Sequence, residues 1–243
     1  GTIRQDVNVS IAEGARVEIK GVQNLADIAD IVRNEVGRQV ELVEIAAELA
    51  ERDATVGDTE DVTDVFEGTE SGVIQGALGD GGEVWAVPLP GFGGLVGREI
   101  QPDRRLGTEF SDHAKRHGAG GIFHTDELPA YGVTEGEVEA LAEAVGLDPA
   151  AVTGEDAEDA VAIVADAPEV AEGAIEAVAE RAETAMDGVP EETRAATEEA
   201  TTRYLRPLPG AARMYPETDV PPVDPDPTEV KTPELLSEKV QRY

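Results

Sequence analysis

Cysteine does not occur in this 243-residue chain. Disulfides, thiolate nucleophiles and Cys-ligated zinc are thereby excluded. Aromatic residues make up only 4% of it, so a core must be assembled from Ala, Val, Leu and Ile and be finely packed. No apolar run approaches the ~18 residues that a membrane-spanning helix needs. The opening "GTIRQDVNVSI" has neither the apolar centre of a secretion signal nor an initiator Met. That implies a start inside a longer gene product and leaves the cytoplasm as the default compartment. Lysine is scarce too, with 4 Lys against 15 Arg.

Acids, by contrast, abound: 52 Asp and Glu against 19 Lys and Arg give a net charge of −33. Such a composition with few aromatics is usual in disordered chains. Amphipathic stretches and turn signals nevertheless recur along most of the sequence, which argues for folding. A carboxylate-rich, Lys-poor protein suits concentrated salt, where screening confines self-repulsion to a few ångströms.

Three pieces are read along the chain. In residues 1–57, "DVNVSI" and "RVEIKG" alternate polar and apolar residues as two strands of a hairpin about Gly14. A long helix follows, N-capped by Asn24, with Leu25, Ile28, Val32, Val36, Val40 and Val43 as its apolar stripe and Arg38, Glu41, Glu44 and Glu48 off it. "DATVGDTED" is a polar junction. In residues 58–200, "DVTDVFEGT", "GEVWAVPLPG", "GGIFHTDELPAYG" and "EDAVAIVADA" read as strands. Helices are expected at "SGVIQGALG", at "GTEFSDHAKRHG" capped by Thr108, at the capping box Thr134 to Glu137, from Pro168, and at "PEETRAATEEA" from Pro190. Strands and helices mix without strict βαβ order, so the fold class is α+β. Residues 201–243 hold eight of the fifteen prolines and read as extended to Val223, then as a looser exit.

Several groupings are candidates for chemistry. His113 and His117 have metal-pair spacing on a helix, although solvated histidines give the same pattern. "PGFGGLVG" lacks the Lys-Ser/Thr of a phosphate loop and reads as a flexible surface loop. Asp126 and Glu127 are adjacent acids, suited to proton transfer or to capping a turn. From Asp126 to Glu199 there are 22 acids and two bases, Arg181 and Arg194, a stretch that repels a phosphate backbone. On the hairpin, Arg4, Asp6 and Asn8 share one face, and Glu18 and Lys20 share one face of the partner strand. If the faces coincide, the set suits Mg²⁺ and phosphate; a solvated face of cross-strand ion pairs is the other reading. "RYLRPLPGAARMYP" interleaves Arg with Tyr, as stacking on nucleic acid requires, or as a rigid connection packed on the core would.

Taken together, "TIRQDVNVSI…ARVEIKGVQNL…EVGRQVEL", "GIFHTDELPAYG" and "TRYLRPLPGAARMYPETDVPPV" resemble the E-type (GatE) family of archaeal glutamyl-tRNA(Gln) amidotransferases. The related B-type family of bacterial and organellar enzymes carries similar R-x-D-V-N, R-V-E-I-K and Tyr-Pro-x-x-Asp-x-Pro-Pro segments. The middle piece resembles an insertion domain shared with bacterial-type aspartyl-tRNA synthetases, which would interrupt a cradle-shaped domain formed by the two ends.

That resemblance implies an enzyme, working with ATP and Mg²⁺, that converts Glu-tRNA(Gln) to Gln-tRNA(Gln). It implies a glutaminase-type partner, the D-type protein of the amidotransferase, in a heterodimer or heterotetramer, and homodimerisation of the full-length E-type protein. Carried onto this sequence, Asp6, Asn8 and Glu18 are expected at the reacting end with Asp6 on the metal, Arg4 and Lys20 on phosphate, and Arg203, Arg206 and Arg213 on tRNA. Complete members are far longer, so the chain alone is expected to be inactive. A non-catalytic tRNA-binding or assembly module, or an acidic salt-adapted scaffold, are the alternatives.

Overall fold

The computed structural model describes residues 5–154 and 156–208. Strand β1 (Gln5–Val9) and strand β2 (Val17–Val22) form the expected antiparallel hairpin. Val9, Val17 and Ile19 turn inward and are buried, while the residues between them stay partly or fully exposed. A short 3-10 turn, Leu25–Asp27, is capped by Asn24, whose side chain accepts from the Ala26 amide. It leads into helix α1 (Ile28–Glu51).

The buried face of α1 is not the stripe read from the sequence. Ile31, Glu35, Arg38, Leu42, Ile45 and Leu49 are buried at steps of three and four, whereas Leu25 and Val40 are 68% and 41% exposed. Two interleaved 3.6-residue stripes exist in this segment. The valine-rich one counted only apolar residues, while the true one is completed by a glutamate and an arginine.

After α1 the chain is anchored, not loose: the Thr55 and Gly57 amides donate to the Pro90 and Pro88 carbonyls. Strand β3 is only Glu60–Asp61, followed by a 3-10 turn over Thr63–Phe66. The strand expected over "DVTDVFEGT" stops there because Asp61 accepts from both the amide and hydroxyl of Thr63, a local turn that competes with the ladder. Helix α2 (Gly72–Gly79) and strand β4 (Glu83–Leu89) fall where expected. Strand β5 (Glu99–Gln101) and strand β6 (Arg104–Arg105) form a small hairpin before helix α3 (Leu106–Arg116). Thr108 sits inside α3 and accepts from the Arg105 amide, so it braces the first turn instead of capping it.

Strand β7 (Phe123–His124), helix α4 (Glu135–Ala144), helix α5 (Pro149–Val152), strand β8 (Ala160–Asp166) and helix α6 (Pro168–Asp187) complete the middle of the chain. The Thr134–Glu137 capping box is present. Strands β3, β4, β8 and β7, in that order, make one sheet. One of its faces packs with α1, α3 and α6, and the other with α4, α5 and the Phe66 turn. Burial on both sides explains why β8 reads as an unbroken apolar run without alternation.

"PEETRAATEEA" is not a helix. Strand β9 (Glu192–Ala196) runs parallel to β2, and strand β10 (Thr202–Pro207) pairs antiparallel with β9, completing the first sheet of the chain, of order β1-β2-β9-β10. The Ala- and Glu-rich composition favours helix locally, but β2 offers an open edge whose amides and carbonyls β9 satisfies. Extended structure in β10 matches the expectation there; the remainder of the ribbon, to Val223, lies outside the described residues.

The glycine-rich "PGFGGLVG" is a structured turn, contrary to a flexible surface loop. Phe92, Leu95 and Val96 are at most 3% exposed. Asp126 accepts from the Gly94 and Gly97 amides at 3.0 and 2.7 Å, and Asp159 from the Gly91 amide at 2.8 Å. A Cβ at position 93 would lie 2.1 Å from the Ala157 carbonyl oxygen, so glycine is required there. Asp126→Ala is therefore expected to destabilise the chain by about 1–3 kcal/mol and to speed hydrogen exchange at Gly94 and Gly97. Unaltered exchange at those two amides would show that the carboxylate is dispensable. Among the described residues no helix is long and apolar enough to cross a membrane.

Candidate functional site

The pleat of β1 turns Val7 and Val9 to the core and leaves Asp6 and Asn8 on the outer face. On β2, Val17 and Ile19 face in, and Glu18 and Lys20 face out. The register pairs Asn8 with Glu18 and Val7 with Ile19, so the two outer faces coincide. Lys20 Nζ donates to Asp6 Oδ2 at 2.8 Å and to Glu18 Oε1 at 3.0 Å. The Asp6 hydrogen bond is the main reason the Lys20 ammonium is held more firmly protonated than usual; partial burial opposes it and Glu18 adds to it.

The face continues onto the strands that close the sheet. Glu18 lies opposite Thr193 and Lys20 opposite Ala195. The Thr193 hydroxyl donates to Glu18 Oε2 at 3.2 Å. Across the next ladder, Arg203 pairs with Ala195 and Arg206 with Thr193. Asp6 and Arg203, far apart in sequence, thus stand on one face of one sheet. Arg203 and Lys20 are two strands apart, roughly 10 Å at the usual strand spacing. Carboxylates gather at the β1–β2 edge and arginines at the β10 edge. Arg4 and Arg213 lie outside the described residues.

Two carboxylates and the Asn8 amide are the oxygen donors on this face. Among the described residues no three or more of His, Cys, Asp and Glu converge as a metal-holding group. Mg²⁺ commonly takes one or two carboxylates and fills its shell with water and phosphate oxygens. Asp6 and Glu18 fit it in that sense, with Lys20 as the cation they already share.

Behind the sheet lies a feature that the sequence reading missed. Glu35 and Arg38 of α1, Glu109 of α3, Arg181 of α6, and Glu192 and Arg194 of β9 form a buried, charge-balanced cluster, each at most 2% exposed. Arg38 donates from Nε and one terminal nitrogen to Glu109 at 2.6 and 3.1 Å, to Glu192 at 2.7 Å and to Glu35 at 2.9 Å. Arg181 and Arg194 each reach Glu109 at 2.7 Å, and Arg194 also pairs with Glu192. Thr202 of β10 joins through its hydroxyl, which donates to Glu35 at 2.9 Å and accepts from Arg194 Nε at 2.8 Å. Burial works against every charge here. For Glu109 the three arginines outweigh it, led by Arg194, and hold the carboxyl well below its usual range. For Arg38, Glu109, Glu35 and Glu192 outweigh it and raise the guanidinium further.

A signal for this cluster exists in the sequence. Arg181 and Arg194 are the two bases in the acidic stretch from Asp126 to Glu199, and the structure buries both. Because Glu192 and Arg194 alternate with Thr193 and Ala195, the ionic hub sits directly beneath the candidate face.

The remaining candidates separate. His113 is not solvated: its ring stacks on Tyr204 with centroids 3.9 Å apart and planes 17° from parallel. His117 is exposed at the end of the helix. Asp126 ties the glycine turn, as above, and Glu127 does not share that role.

Comparison with known proteins gives a consistent picture. The family description "GatB/GatE catalytic domain" matches residues 1–231. The E-type glutamyl-tRNA(Gln) amidotransferase protein of Haloarcula marismortui is 76% identical over 243 residues, covering 100% of this chain and 38% of that protein. Its namesake from Natronomonas pharaonis is 72% identical over 243 residues, covering 100% of this chain and 37% of its own length. That from Archaeoglobus fulgidus is 56% identical over 246 residues, with 100% and 38% covered. The chain therefore spans a little over a third of the length of these relatives.

Proposed function

The chain belongs to the GatB/GatE catalytic domain family, and from that membership we propose that its four-stranded face is part of the site where a tRNA-dependent amidotransferase activates a glutamyl side chain. The substrate is Glu-tRNA(Gln) and the product Gln-tRNA(Gln). A carboxylate is a poor electrophile at neutral pH. Transfer of the γ-phosphoryl group of ATP to its oxygen gives an acyl phosphate and ADP; ammonia then displaces phosphate and leaves the amide. The D-type glutaminase protein is the partner that releases the ammonia.

In this reading Lys20 holds a phosphate oxygen, its charge secured by Asp6 and Glu18. Thr193 fixes the orientation of Glu18, and Asn8 adds an amide beside it. Asp6 and Glu18 would hold Mg²⁺, which would offset phosphate charge. Arg203 and Arg206 face the acceptor end of the tRNA with a cationic edge that the acidic middle of the chain does not provide. Residues between the two ends of the first sheet are read as an inserted domain of the kind found in bacterial-type aspartyl-tRNA synthetases. The support is one observation above others: Asp6, Glu18, Lys20 and Arg203 lie on a single sheet face built from both ends of the described chain.

The test belongs in the full-length protein with its partner. Lys20→Met should lower kcat for ATP-dependent amide formation by about 100-fold, the scale of losing one electrostatic group from a transition state. Arg203→Ala and Arg206→Ala should raise KM for Glu-tRNA(Gln) with little change in kcat. A Lys20→Met enzyme with undiminished kcat would return the face to a cross-strand ion pair and nothing more.

A further inference from the structure

We propose that the cavity between α3, α6 and the helix-facing side of β9 and β10 is a binding site for a small monovalent carboxylate. The cavity measures about 220 Å³ and is lined by His113, Arg181, Thr184, Glu192 and Tyr204, among others. It lies on the opposite side of the sheet from the candidate face and does not depend on the function assigned there.

The observation that points to a ligand is Arg181. It is 1% exposed, and only one of its terminal nitrogens is engaged, donating to Glu109 at 2.7 Å. Its Nε and other terminal nitrogen have no hydrogen-bond partner among the described residues. A buried guanidinium whose donors meet no protein acceptor calls for an acceptor from outside the chain, since leaving such N–H groups unpaired is costly. His113 Nε2, on the same cavity wall, is likewise buried and unpartnered among the described residues. Its ring is fixed in place by the stack on Tyr204. Burial, and then the charge of Arg181, pull the His113 pKa down to about 4. The ring is therefore neutral near pH 7, and a bound acceptor would select the tautomer that carries its N–H on Nε2.

A ring donor beside a guanidinium calls for a group that only accepts hydrogen bonds, and a carboxylate is one. Size and charge narrow the class. The volume equals about seven waters at ~30 Å³ each, enough for a short-chain acid and too little for a nucleotide. Glu180, Glu191 and Glu192 also stand on the wall, so a second negative charge on the ligand is repelled.

The experiment uses the full 243-residue chain, with potassium acetate titrated against potassium sulfate at constant ionic strength and a parallel chloride arm. Acetate should raise the unfolding midpoint saturably and broaden the carboxyl signal of ¹³C-acetate. Arg181→Gln should weaken this by about tenfold or more, the scale of one charge-assisted hydrogen bond. Because Arg181 also belongs to the ionic cluster, that variant could fail to fold; His113→Phe then decides. It keeps a ring against Tyr204, removes Nε2, and should weaken acetate several-fold. A response that is identical in wild type and His113→Phe, or that never saturates, is an adventitious additive only and overturns the proposal. So does an equal response to sulfate. A saturable chloride response without an acetate response overturns the carboxylate assignment.

Discussion

Arg38→Met is expected to lower stability by about 3–5 kcal/mol, the cost of breaking a buried ion pair from one side. Against a typical total of about 5–15 kcal/mol, that removes from about a fifth to all of the stability. The variant fills the same space with an apolar chain yet strands Glu35, Glu109 and Glu192 with two cations, Arg181 and Arg194, in place of three. Urea titration followed by far-UV circular dichroism measures it, and a loss under ~1 kcal/mol would mean that water reaches the cluster. The acid limb carries the same physics. The Glu109 carboxyl is depressed in the folded state. Its contribution is thus complete above its unfolded pKa of about 4.3 and fades as pH falls through the lower folded value. Stability should decline on acidification below about pH 4, and Glu109→Gln should flatten that decline.

Transfer from about 1 M to about 0.01 M KCl is expected to unfold the wild-type chain. The screening length grows from about 3 Å to about 30 Å over that range, and a net charge of −33 then repels itself across the whole molecule. The surface shows how acids are managed when cations are few: Glu41, Glu44 and Glu48 of α1 share one arginine, Arg98, at 3.0, 2.9 and 3.1 Å. The two predictions separate by their salt response. Molar KCl should refold the wild type but should not narrow the stability gap between it and Arg38→Met, because a buried pair is beyond the reach of mobile ions. A circular dichroism signal indifferent to salt would count against adaptation of the acidic surface to brine.

Much of the candidate site was legible before any coordinates. The period of two in "QDVNV" and "VEIK" put Asp6 and Asn8 on one face and Glu18 and Lys20 on another, and the pairing made those faces one. The family resemblance, carried by the same motifs, agrees with the match over residues 1–231. Less legible was where the sheet ended. "ETRAA" has the composition of a helix, and only the unpaired edge of β2 turns it into a strand. The helix stripe failed for a related reason: a search for apolar spacing passes over positions where charges are buried against each other.

By itself, the sequence determined what is local or periodic: the hairpin, the caps at Asn24 and Thr134, the acidic surface, and the exclusion of thiol chemistry. Tertiary structure alone decided which of two stripes on α1 faces inward, that β9 closes the first sheet, and that Arg38, Arg181 and Arg194 meet three glutamates inside. The physical reason is distance along the chain. A hydrogen bond from Arg38 to Glu192 joins residues 154 positions apart, and nothing in the neighbourhood of either one encodes the other. Such a pair is affordable only once packing has brought its partners together and removed the water between them.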